Sequence, residues 1–140
     1  MRSYPDWLEF HSWRVGGPVA SIRSRSGIVR VETGQGETVE RVTFGIPDDD
    51  AWLAFRAMLD AAGFWRWTAV TDHSEPHKAG DWYWWLELHD HSRMHRAGAW
   101  NHAPERFDEV RTALFELVEQ VIADGTIDLA PNRPLTPSGR

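Results

Sequence analysis

The sequence predicts an α+β domain: an antiparallel sheet of about six strands with two helices packed on one face. Three observations lead there. Aromatic and β-branched runs are divided by glycine-rich turn signals. Two later stretches carry apolar residues at helical spacing. The order of strands followed by a helix occurs twice, which raises a structural pseudo-repeat.

Residues 7–15 read as the first strand, stopped by Gly16-Gly17-Pro18. Residues 19–32 continue in strand-like composition, interrupted at Ser26-Gly27. That dipeptide is either a two-residue hairpin turn or a bulge within one long strand. Residues 33–37 read as a loop. Residues 38–45 alternate, with Val42 and Phe44 on one face and Arg41 and Thr43 on the other.

A helix then starts at Asp48-Asp49-Asp50. Asp48 is placed as the cap, and the carboxylates sit where the helix dipole favours negative charge. The same dipole disfavours a cation at these three aspartates. Trp52, Phe55, Leu59 and Ala62 form its apolar stripe, and Gly63 is placed to end it.

Residues 64–71 read as a strand and 73–80 as a polar loop. Residues 81–89 and 94–100 then read as paired strands. Pro104 opens a second helix to about residue 123, with Phe107, Val110, Leu114, Leu117, Val118 and Val121 as its stripe. At an offset of 55 residues, Trp52 meets Phe107, Phe55 meets Val110 and Leu59 meets Leu114. Residues 1–128 are thus one domain, and the polar, proline-rich residues 129–140 read as a disordered tail.

Composition narrows the chemistry. The 140 residues hold no cysteine, which excludes disulfide scaffolds, thiolate zinc sites and cysteine nucleophiles. No apolar run approaches the ~20 residues of a membrane helix, and the first residues lack the apolar core of a secretion signal. A cytoplasmic location is the expectation. The net charge is -6, and residues 47–140 carry all of the excess acid. Arg23 and Arg25 share one strand face, but no larger basic patch emerges, so nucleic acid is not the expected partner.

The segment Asp81-Trp82-Tyr83-Trp84-Trp85-Leu86-Glu87-Leu88-His89 is the most distinctive. With His91-Ser92 as a two-residue turn, Asp90 pairs with Arg93, Glu87 with Arg96 and Tyr83 with Trp100. Trp84 and Leu86 then lie under the helices. Tyr83, Trp85 and Trp100 form an aromatic row on the opposite face, a candidate ligand or partner surface.

Seven histidines invite a metal reading. The trio His89, His91 and His95 fails on register, because His95 falls opposite Leu88 on the other face from His89. In a meander, the loop holding His73 and His77 meets the strand end at His102. Those three imidazoles, with Glu75 or Asp81, are the candidate site for a divalent metal or acid–base chemistry. No other cofactor is implied. No zinc-protease, nucleophile-elbow, phosphate-loop or dinucleotide motif is present.

Three functions follow in order. The first is a non-enzymatic protein-interaction module of the inhibitor or immunity type. A protein partner would contact the acidic helix surface at Glu109 and Glu116, or the aromatic face. The second is a small-molecule or carbohydrate binder using Tyr83, Trp85 and Trp100. The third is a metal-dependent hydrolase using His73, His77 and His102.

Overall fold

The computed structural model describes residues 3–35, 38–68 and 78–119. Four strands come first: β1 (Trp7–Arg14), β2 (Pro18–Arg25), β3 (Ile28–Gln35) and β4 (Thr38–Gly45). Helix α1 (Asp49–Ala62) and a 3-10 turn (Phe64–Arg66) follow. Strands β5 (Trp82–Asp90) and β6 (Arg93–Trp100) then lead to α2 (Phe107–Val118).

All six strands form one antiparallel sheet in the order β4-β3-β2-β1-β5-β6. The first four make a meander. Helix α1 then carries the chain back, so that β5 pairs with β1 and the oldest strand lies inside the sheet. Strands β4 and β6 are the edges. The outline of strands-then-helix recurs, with four strands before α1 and two before α2.

The pleat sorts side chains into two faces. Leu8 and Phe10 of β1, Ile22 of β2, Val31 of β3, and Trp84 and Leu86 of β5 point under the helices. They share one core with Trp52, Phe55 and Leu59 of α1 and with Val110, Leu114 and Leu117 of α2. The other face, left open by both described helices, carries mostly half-buried side chains that alternate with the core in β1 and β5.

The caps of α1 are those the sequence predicts. Ala51 N–H donates to Asp48 Oδ1 at 2.9 Å, and Gly63 ends the helix in the left-handed region at φ 74°. The Ser26-Gly27 ambiguity resolves as a two-residue turn, with φ of 56° and 80°, closed by the Arg25–Ile28 pair. The β5–β6 register is the predicted one at Asp90–Arg93, Glu87–Arg96 and Tyr83–Trp100.

Three element expectations change. Residues 33–35 are not loop but the end of β3. Here the ladder shifts so that Gly34 faces Val39 and Glu40 is bulged. A Cβ on Gly34 would lie 1.9 Å from the Thr38 carbonyl oxygen, so glycine marks close backbone approach rather than a loop. Residues 64–66 form a 3-10 turn rather than a strand. Phe64 is fully buried there and Trp67 Nε1–H donates to the Ala62 carbonyl, so these aromatics seal the end of α1. Helix α2 starts three residues after Pro104, because Arg106 adopts φ 72° and Phe107 N–H bonds the Pro104 carbonyl. The expected continuation to 123 and the tail at 129–140 lie outside the described residues.

Candidate functional site

The open face is organised around its two central strands. Glu9 of β1 lies directly opposite Glu87 of β5. Like charges in that relation destabilise a sheet unless they are neutralised. Each carboxylate has two partners. His11 Nε2–H donates to Glu9 Oε2 at 2.7 Å, and Arg23 Nε–H donates to the same oxygen at 3.1 Å. On β5 the pattern repeats: His89 Nε2 lies 2.7 Å from Glu87 Oε2, and Arg96 Nε lies 3.7 Å from Glu87 Oε1.

This repetition is written in the sequence. Trp7-Leu8-Glu9-Phe10-His11 matches Trp85-Leu86-Glu87-Leu88-His89. The two segments pair antiparallel about the Glu9–Glu87 pair, so Trp7 faces His89 and His11 faces Trp85. A local two-fold axis through the sheet results. His11 stacks on Trp85 with ring centroids 4.3 Å apart, and the Arg96 guanidinium covers Trp85 at 3.9 Å.

Two of these groups are shifted. Burial carries the first. It pushes His11 below its ordinary 6.5, aided by the positive Arg23 and Arg96 and opposed by Glu9. Burial works against the Glu9 carboxylate as well, but hydrogen bonds and charge from His11 and Arg23 outweigh it and hold Glu9 below 4.5. His11 is therefore a neutral donor to an ionised carboxylate near pH 7.

The aromatic row is present but largely engaged with itself. Tyr83 is buried, with its ring 4.7 Å from Trp13 and 5.0 Å from Trp100. Trp13 meets Trp100 edge-on at 5.8 Å. Trp85 is sandwiched between His11 and Arg96, as described. Tyr83, Trp85 and Trp100 thus share one face, but their ring faces are mostly covered by neighbours.

The histidines divide. His95 lies opposite Leu88 and its Nε2 bonds the Trp67 carbonyl at 2.8 Å, under the helices and away from His89. His102 is exposed beside a small pocket of about 180 Å³ lined by Trp67, Trp84 and Pro104. The strand ends do converge there: Asn101 N–H bonds the Trp82 carbonyl at 2.8 Å, and Trp82 N–H bonds Asn101 Oδ1 at 3.0 Å. His73, His77 and Glu75 lie outside the described residues. Among the described residues, no three histidines or carboxylates are arranged to hold a metal ion.

Glu109 and Glu116 do come together. With Asp108, Thr112, Ala113 and Met58 of α1 they line a groove of about 380 Å³ between the helices. A hydrogen bond from Arg106, 2.7 Å from Glu109 Oε1, holds the Glu109 carboxyl below its ordinary range, so it stays ionised.

A second depression was not anticipated. It occupies about 420 Å³ on the open face and is lined by Trp7, Arg23, Arg25, Ile28, Arg30 and Phe44, with Ser24 and Ser26. The sequence pairs Arg23 with Arg25 by alternation, but Arg30 and Phe44 join only through the β2–β3–β4 register. The five-residue match between β1 and β5 is the other missed signal, legible at an offset of 78 residues. Comparison with protein-family models, curated proteins and solved structures returns no match to this chain.

Proposed function

We propose that this protein is a non-enzymatic interaction module that binds a basic protein partner through the groove between α1 and α2. The observation carrying this reading is the groove itself, where Asp108, Glu109 and Glu116 surround the apolar Met58 and Ala113. An apolar floor with an acidic rim suits a partner that inserts a lysine- or arginine-bearing segment. The wider surface agrees. Residues 48–66 and 104–119 hold nine carboxylates against four arginines, whereas the six strands hold seven arginines and five carboxylates. The helical layer is the side that attracts a basic protein and speeds its encounter.

The test is affinity capture at low and high salt with the native chain and a Glu109→Lys/Glu116→Lys variant. A partner held by the native chain should be released by salt and lost from the variant. A captured set that is identical for both chains would defeat the acidic-groove reading.

A further inference from the structure

We infer that the depression between Trp7 and Phe44 on the open sheet face binds a small organic anion with a flat apolar body, an aromatic carboxylate. Three guanidiniums converge there. Arg23 and Arg30 lie directly opposite each other on β2 and β3, and Arg25 is the next residue of that face. Directly opposed like charges need an anion to be stable. Two carboxylates answer in part: Glu9 takes Arg23 Nε at 3.1 Å, and Glu32 takes an Arg30 terminal nitrogen at 2.5 Å. Among the described residues no carboxylate pairs with Arg25, which instead lies with its guanidinium 6.0 Å from the Trp7 ring.

The remaining lining gives the ligand its apolar part. Ile28 is 49% exposed and Phe44 is 63% exposed, and both line the depression. The Arg30 guanidinium lies 5.7 Å from the Phe44 ring, so an aromatic and a cation stand together at each end. A flat body covering Ile28 between Trp7 and Phe44 leaves its carboxylate among the arginines, where bidentate pairing is available. A polyanion is disfavoured, because Glu9 and Glu32 flank the arginines.

The inference is tested with 1-naphthoate, its neutral isostere 1-naphthamide, and acetate, read by indole and guanidinium NMR signals. Naphthoate should bind saturably and shift the Trp7 and Arg25 signals. Naphthamide and acetate should each bind about tenfold or more weakly, since neither supplies both parts. Arg25→Gln should weaken naphthoate about tenfold, whereas Arg96→Gln, at the other end of the face, should leave it unchanged. The Glu109→Lys/Glu116→Lys variant should bind naphthoate like the native chain, which separates this site from the interhelical groove. Absence of saturable naphthoate binding would overturn the inference. So would equal binding of naphthamide, or equal losses from Arg25→Gln and Arg96→Gln.

Discussion

Gly98 shows how one residue fixes the geometry of a strand pair. A Cβ at this position would lie 2.4 Å from the Trp84 carbonyl oxygen and 2.6 Å from Trp85 Cβ, so backbone must move to admit it. Gly98→Ala is expected to cost about 2 kcal/mol, as overpacking does, in urea denaturation. Unchanged stability would show that β5 and β6 can separate without penalty. His11 gives a second prediction at this scale. Its folded pKa lies below the unfolded 6.5, so between the two values the unfolded chain binds more protons. Stability is therefore whole above about 6.5 and falls as pH drops through that window, and Glu9 adds a loss in the same direction below 4.5. His11→Gln should flatten the first part of the decline in a melting series against pH. An NMR titration placing His11 at or above 6.5 would contradict the burial argument. Such residues were only partly legible. Asp48 and Gly63 announce their caps because capping depends on local chain chemistry. Gly34 does not announce its bulge, because glycine serves loops and close approaches alike.

Strand β4 is an edge whose bulge changes what it displays. Strict alternation puts Val39 on the face opposite Val42 and Phe44. The extra residue at Glu40 brings Val39 opposite Gly34, on the same face as both. Val39 is 53% exposed and Val42 42% exposed, so the edge carries an apolar row beside unpaired backbone groups. Edges of this kind template pairing between chains unless charge intervenes. Val39→Lys/Val42→Lys should reduce concentration-dependent light scattering while altering stability by no more than about 0.5 kcal/mol. Scattering that is the same in both chains would assign this row no part in self-association. The β5–β6 hairpin was legible because turn type sets register, and so its pairs could be written down in advance, whereas Ser26-Gly27 fits a turn and a bulge alike. The 3-10 turn at Phe64–Arg66 was not. Its aromatic content imitates a strand, and only packing against the end of α1 distinguishes the two.

At the scale of the whole molecule, the α+β class follows from two periodicities, but the place of β1 does not. Its pairing with β5 joins residues 68 to 82 positions apart, and no local signal encodes that contact. One ion pair ties the resulting layers together. Arg56 of α1 donates to Asp90 Oδ2 of β5 at 2.6 Å and to the Ser3 carbonyl at 3.2 Å. The Asp90 side chain is only 9% exposed and Arg56 24%. Removing one partner leaves a charge in a site where water reaches it poorly. Asp90→Ala is therefore expected to cost about 2 kcal/mol, discounted from a fully buried pair because Arg56 keeps some contact with solvent. Replacing both ends by apolar residues of similar size, as Arg56→Met/Asp90→Leu, removes the desolvation cost along with the attraction and should recover most of that loss. Urea denaturation of the native, single and double variants completes the comparison. A double variant as weak as Asp90→Ala would contradict the argument that the single variant's loss comes from leaving the Arg56 charge uncompensated.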